Sequence, residues 1–293
     1  MNGPQSNSHN FFDGSIGKEI TALSTPTHVV PNAEDTVPTI TDHQVMNLHR
    51  KSGLSFGDIY QRALLQGILP VRYLRNYSSV SIPEQLKLAQ STVVVVGAGG
   101  LGGQVLLCLA RVGVGRLIVI DPGRFEESNL NRQALCSLST LGRTKTLTAK
   151  NTVAEINPGV EVQIHPVRLT SENQSQLLAS ADVVVDALDN IKDRMVLETG
   201  SKHAGIPLVH AAIEGFFGQL MTIFPQDPGL RSIYGTDPSQ PASGLGNLPM
   251  TALSVATLQA MEVIKILLNR GQLLRHKMLT VELEQGLMEQ FSF

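Results

Sequence analysis

From residue 92 onward, short apolar runs alternate with longer stretches of helical period. Thr92–Val96 is an unbroken β-branched run, as in a strand buried on both faces. Leu101–Val112 predicts a helix closed by Gly113 and Gly115, and Leu117–Ile120 a second strand ending at Asp121. Thr144–Ile156 predicts a helix stopped by Asn157–Pro158. A strand at Val160–Ile164 and a short helix at Glu172–Ala179 follow. Val183–Asp186 reads as another buried strand, Ile191–Ala204 as a helix, and Pro207–Ala211 as the strand after it. This alternation predicts an α/β fold: a Rossmann-like open, mostly parallel sheet with helices on both faces.

The pattern weakens after residue 212. Gln219–Phe224 predicts a strand, and Gln226–Leu248 a long loop rich in Gly, Pro, Ser and Asp. Pro249–Asn269 predicts an apolar helix ended by Gly271, with Leu253, Ala256, Ala260, Val263, Ile264 and Leu267 on one face. Lys277–Leu283 and Leu287–Phe291 predict a terminal hairpin, and so a C-terminal antiparallel extension of the sheet. At the other end, residues 1–52 are polar, and Pro26, Pro31 and Pro38 interrupt any long helix. A flexible arm is expected there. Ser55–Gly67 predicts a helix capped by Ser55, with Asp58 in its first turn and Ile59, Ala63 and Leu64 on one face. A short helix is expected after Pro83.

Composition narrows the function. A chain of 293 residues that is 42% hydrophobic is one large domain or two small ones. A net charge of −2 gives no electrostatic reason to expect a nucleic acid or a membrane as partner. The two cysteines, Cys108 and Cys136, exclude a disulfide framework and a zinc site of four cysteines. With no basic start followed by an apolar run, a cytoplasmic location is expected.

Candidate chemistry begins where the first strand runs into Gly97-Ala98-Gly99-Gly100-Leu101-Gly102-Gly103. This fits G-x-G-x-x-G between a strand and a helix, where glycine lets the backbone approach a ligand and the helix presents free N–H groups to phosphate. Asp121 follows where an acidic residue would accept ribose hydroxyls. The loop alone does not choose the nucleotide, and NAD is the usual first reading. Arg132 and Lys145, with Asn129 just before them, shift the choice toward a triphosphate. Either cation alone would read as a solvated surface charge. Asp189, after the strand Val183–Asp186, is placed to hold Mg²⁺ on phosphates or to cap the helix from Ile191. Asp186 is expected to bond backbone groups in the same turn.

The runs VVVVGAGGLGG, IDPGRFEESNLNRQ, LGRTK and VVVDALDN, in that order, resemble the MoeB/ThiF/HesA superfamily, the adenylating module related to ubiquitin-activating enzymes. The resemblance extends from about Arg72 to the C-terminus. It implies an adenylation domain at residues 72–293, preceded by the arm at 1–52 and a helical extension at 53–71. It also implies ATP-dependent activation, with release of pyrophosphate, of the C-terminal carboxylate of a small ubiquitin-like sulfur carrier ending in Gly-Gly. Molybdopterin, thiamine or related sulfur chemistry is the implied setting. The implied nucleotide-binding set is Gly97, Gly99, Gly100, Gly102, Asp121, Asn129, Arg132, Lys145, Asp189 and Asn190, with Asp189 as the magnesium ligand. Arg72-Tyr73-Leu74-Arg75 matches a family element whose second arginine reaches the ATP of a partner subunit, which implies a homodimer and a catalytic Arg75.

Two departures bear on mechanism. Most relatives carry two C-x-x-C zinc pairs, and the corresponding segments here hold no cysteine, so no zinc is expected. Thioester-forming relatives carry a cysteine in the crossover loop, and Gln226–Leu248 has none. Cys136 has no base beside it in sequence and is read as a small buried or partly buried residue, which implies an acyl-adenylate without a thioester. The alternatives are adenylation of a peptide C-terminus or of a tRNA-bound carboxylate, a non-catalytic scaffold of the same fold, and lastly a nicotinamide oxidoreductase.

Overall fold

The computed structural model describes residues 14–29, 36–235 and 245–293. The chain divides into two units, residues 1–86 and 87–293.

The first unit contains α1 (Gly14–Leu23), β1 (Thr25–His28), β2 (Thr36–Ile40), α2 (Asp42–Ser52), α3 (Phe56–Leu65) and β3 (Leu69–Pro70), followed by the 3-10 turn Val71–Asn76. Its strands form a sheet in the order β1-β2-β3. The expectation of a flexible arm over 1–52 is corrected for the described residues. Ile16, Ile20, Ile40, Val45 and Leu48 share one buried core with Ile59, Tyr60, Ala63 and Ile68. Each of these helices offers only two buried residues from this stretch, so the apolar pattern is sparse although it is helical in period. Pro26 and Pro38 do exclude helix, but as strand residues: they lie opposite each other, which confines the missing N–H groups to one register position. Thr41 with Gln44, and Ser55 with Asp58, close reciprocal capping boxes on α2 and α3. Residues 1–13 and 30–35 of the expected arm lie outside the described residues.

After α4 (Ile82–Gln90), the second unit follows the predicted alternation: β4 (Thr92–Val96), α5 (Gly100–Val112), β5 (Arg116–Ile120), α6 (Lys145–Ile156), β6 (Glu161–His165), α7 (Gln174–Leu178), β7 (Val183–Asp186), α8 (Ile191–Ala204) and β8 (Leu208–Glu214). It continues with β9 (Phe217–Ile223), α9 (Arg231–Tyr234), α10 (Pro249–Leu268), β10 (Lys277–Glu282) and β11 (Leu287–Ser292). The sheet order is β11-β10-β9-β8-β7-β4-β5-β6. Strands β6 to β8 across β4 are parallel, and β9, β10 and β11 extend the sheet antiparallel. Val94, Val96, Ile118, Ile120, Val184 and Leu208 pack with α7 and α8 on one face. Helices α5, α6 and α10 cover the other. The chain leaves β4 toward β5 and returns to β7 on its opposite side. The carboxyl ends of β4 and β7 therefore flank a topological switch point, where ligands bind in such sheets.

Helix α10 is long and apolar enough to cross a membrane by length and composition. Here it is the core helix packed on β7, β8, β9 and α5. Its buried polar side chains bond the sheet: Gln259 donates to the Asp186 and Val209 carbonyls at 2.7 and 2.9 Å, and Glu262 accepts the Thr222 hydroxyl at 2.7 Å. The predicted loop Gln226–Leu248 contains the short α9, and its residues 236–244 lie outside the described residues.

Three of the four tyrosines, Tyr60, Tyr73 and Tyr77, lie in the first unit, so tyrosine fluorescence reports its unfolding. Ile20→Ala removes a fully buried side chain and is expected to cost about 2–5 kcal/mol in urea unfolding. An unchanged midpoint would return this stretch to a free arm.

Candidate nucleotide site

Three strand ends build the site. After β4 the backbone turns through Gly97 at φ +94°, and a Cβ there would lie 2.4 Å from the Ala187 carbonyl oxygen. A Cβ on Gly102 would lie 1.8 Å from the Gly97 carbonyl oxygen. Glycine is therefore required at both positions for the loop to close on the first turn of α5. Gly99 is the N-cap residue of α5 and supplies no capping side chain, so the helix presents its first N–H groups uncapped by a side chain.

Asp121, at the end of β5, is buried and braces this loop. Its Oδ2 accepts the Ala98 N–H at 2.7 Å, and its Oδ1 accepts the Gly123 N–H at 2.6 Å. Each oxygen retains a further acceptor site. Lys145 opens α6, and its N–H donates to the Gly123 carbonyl at 3.0 Å. Its side chain lies over the same turn, with Nζ 6.0 Å from the Phe125 ring centroid. Lys145 has no carboxylate partner among the described residues.

The segment after Asp121 folds back over the loop. Asn129 is buried and closes a 3-10 turn by accepting the Glu126 N–H on Oδ1 at 3.2 Å. Arg132 follows, its N–H bonded to the Asn129 carbonyl at 3.2 Å. Its Nη1 donates to the Ser128 carbonyl at 2.9 Å and to Asn131 Oδ1 at 2.8 Å, and it too lacks a carboxylate partner among the described residues. A Cβ on Gly100 would lie 3.8 Å from Arg132 Cγ, which places the arginine stem beside the start of α5. Gln133 lies over Gly99, is 7% exposed, and has no partner for its Oε1. Gln133 ends the run IDPGRFEESNLNRQ, where residue type alone assigns it no role. An orphaned buried amide oxygen against a glycine loop is the kind of acceptor that a bound ligand would satisfy.

The turn after β7 adds an acidic group. Asp189 is exposed, and its Oδ1 accepts from Asn190 Nδ2 at 3.2 Å. The helix-capping role weighed for Asp189 belongs to Asn190, whose Oδ1 accepts the Asp193 N–H at 2.9 Å. Asp186 bonds the Leu188 N–H at 3.0 Å, as expected, and also meets His210 Nδ1 at 2.7 Å.

Gly97, Gly99, Gly100, Gly102, Asp121, Asn129, Arg132 and Lys145 thus converge, and Ala187 joins the Asp189–Asn190 turn to them. Arg75 lies in the first unit, exposed on the turn Val71–Asn76. Arg72 there is engaged by Asp42 and stacks 5.5 Å from the Tyr60 ring centroid. Cys136 is half-buried, and burial pushes its thiol up against the opposing pull of Lys145. It is no activated thiolate.

The arrangement offers an anion an uncapped helix start and two cations without carboxylate partners among the described residues, with the exposed Asp189 carboxylate on the turn after β7. No group of three or more His, Cys, Asp or Glu is gathered for a metal among the described residues. A cation there would depend on Asp189 together with ligand oxygens. That donor set suits Mg²⁺, which is bound through one or two carboxylates plus phosphate.

Comparison with known proteins identifies relatives of this chain. The chain is 41% identical over 217 residues to the SAMP-activating enzyme E1 of Haloferax volcanii, covering 71% of this chain and 79% of that protein. It is 39% identical over 205 residues to a sulfur carrier protein adenylyltransferase of Thermus thermophilus, covering 64% and 73%. Its fold is shared with the ATP complex of E. coli MccB, at TM-score 0.64 and 20% identity, over 95% of this chain and 87% of that one. The ThiF family profile matches residues 73–293, and the chain belongs to the ThiF family.

Proposed function

We propose that this chain is an ATP-dependent adenylyltransferase that activates the C-terminal carboxylate of a small ubiquitin-like sulfur carrier. The observation that carries the reading is the convergence of Arg132 and Lys145, both without carboxylate partners among the described residues, on the uncapped start of α5. Relatives named as a sulfur carrier adenylyltransferase and as an E1-type activating enzyme support the same substrate class. Their names do not favour a peptide or tRNA acceptor, or a scaffold.

The chemistry follows from charge. A carboxylate oxygen attacks the α-phosphorus, a new P–O bond forms to the acyl oxygen, and pyrophosphate leaves with the electron pair of the broken bond. Both reactants are anionic, so catalysis is positioning and neutralisation. The start of α5 and Arg132 hold phosphate oxygens, and Lys145 takes up charge developing on the leaving group. Asp189 would hold Mg²⁺, which would supply positive charge to the phosphates. No protein nucleophile is required, consistent with a Cys136 thiol that stays protonated. The absence of the C-x-x-C pairs supports a zinc-free variant. The Arg-Tyr-x-Arg element supports a homodimer in which Arg75 serves the partner's nucleotide, and a carrier ending in Gly-Gly is the expected partner.

ATP–pyrophosphate exchange with a Gly-Gly carrier is expected to require Mg²⁺ and to stop on chelation. Arg132→Ala or Asp189→Ala should lower it on the order of a hundredfold, the scale of a lost preorganised charge contact. Normal exchange in both variants would refute the site. Mixing Arg75→Ala with Asp189→Ala should regenerate activity, since one mixed-dimer site would then be intact. Failure of every mixture would place Arg75 outside the chemistry of the partner.

A further inference from the structure

A buried polar network surrounds the turn that carries Asp189. Asp186 is fully buried; its Oδ1 accepts the Leu188 N–H at 3.0 Å, and its Oδ2 meets His210 Nδ1 at 2.7 Å. Arg194, on α8 and 8% exposed, grips Leu188 from the other side. Its Nη2 and Nε donate to the Leu188 carbonyl at 2.6 and 3.2 Å, and its Nε lies 3.8 Å from Asp186 Oδ2. Both backbone groups of the residue before Asp189 are therefore held by one buried ion pair.

The network continues into the segment between β9 and α10. Arg194 Nη1 donates to the Tyr234 hydroxyl at 3.3 Å. That hydroxyl accepts Gln219 Nε2 at 2.7 Å and lies 3.1 Å from His210 Nε2. Burial holds His210 below the usual imidazole range against the opposing pull of Asp186, and burial raises Tyr234. With the imidazole neutral, Nδ1–H donates to Asp186 Oδ2 and Nε2 accepts a hydrogen bond from the Tyr234 hydroxyl.

Helix stability does not explain Arg194. It stands in the first turn of α8, where a cation opposes the helix dipole. Asn190 and Asp193 already cap that end. A buried ion pair is also no more stabilising than apolar packing of the same volume. What the pair does achieve is a fixed conformation for the Ala187–Asn190 turn.

We propose that Arg194 is a positioning residue for Asp189, acting through the Leu188 carbonyl, with Tyr234 bracing Arg194. This rests on the reading of Asp189 as the metal-binding carboxylate. The test uses the full chain with a non-hydrolysable ATP analogue and Mn²⁺ as the probe, following Mn²⁺ binding by electron paramagnetic resonance. Melting curves check folding. Asp189→Asn is the control and should weaken Mn²⁺ binding at least about tenfold. Arg194→Gln should weaken it about tenfold, the scale of a lost outer-sphere contact, while analogue affinity changes less than about threefold. Arg194→Lys should recover part of the loss, and Tyr234→Phe should cost about threefold on the same scale. If Asp189→Asn weakens binding but a folded Arg194→Gln does not, the proposal is overturned and the site stands. If Asp189→Asn itself changes nothing, the site reading fails and takes the proposal with it. Should Arg194→Gln not fold, unchanged Mn²⁺ binding in both Arg194→Lys and Tyr234→Phe overturns the proposal.

Discussion

One close approach organises the site: the backbone of Gly97 lies against the carbonyl of Ala187, nearer than any side chain would allow. Backbone hydrogen bonds stitch the strand ends around it. Gly97 N–H donates to the Ile120 carbonyl and Ala187 N–H to the Val96 carbonyl, each at 2.9 Å. Asp121 then accepts the next amide, that of Ala98. The anion-facing helix start and the acidic turn are thus held at a fixed separation by main chain, before any charged side chain contributes. Preorganisation of this kind is what a reaction between two anions needs, because charge must be met without reorganisation at the moment of transfer.

The charged groups are arranged in two tiers. Arg132, Lys145 and Asp189 have no ion-pair partners among the described residues, whereas Asp186, Arg194 and His210 are buried and mutually satisfied. The first tier keeps its charge available to a ligand. The second spends its charge on geometry, since a buried ion pair with all its hydrogen bonds made specifies one conformation more than it adds stability.

The glycine loop and the strands flanking it were legible in the sequence because their signal is contiguous: β-branched run, glycines, helix, acidic residue. The cations were legible once Arg132 and Lys145 were read together with Asn129. What could not be read depends on distance along the chain. His210 meets Asp186 across 24 residues, and Tyr234 meets Arg194 across 40, with no local pattern to announce either pair. Asp189 and Asn190 suit a helix cap equally well by residue type, and only the placement of Asn190 Oδ1 on the Asp193 N–H decides between them. The first unit was hidden for another reason. α1 and α2 bury two residues apiece, Ile16 with Ile20 and Val45 with Leu48, amid a polar background that imitates an unstructured arm.

The most direct test is the fate of one oxygen atom. A carrier labelled with oxygen-18 in its C-terminal carboxylate is incubated with the enzyme and ATP, and the product is then cleaved by a nucleophile at the acyl carbon. Attack at the α-phosphorus leaves one labelled oxygen in AMP and none in pyrophosphate. Label in inorganic phosphate, with ADP as the other product, would mean attack at the γ-phosphorus and would contradict adenylation at this site.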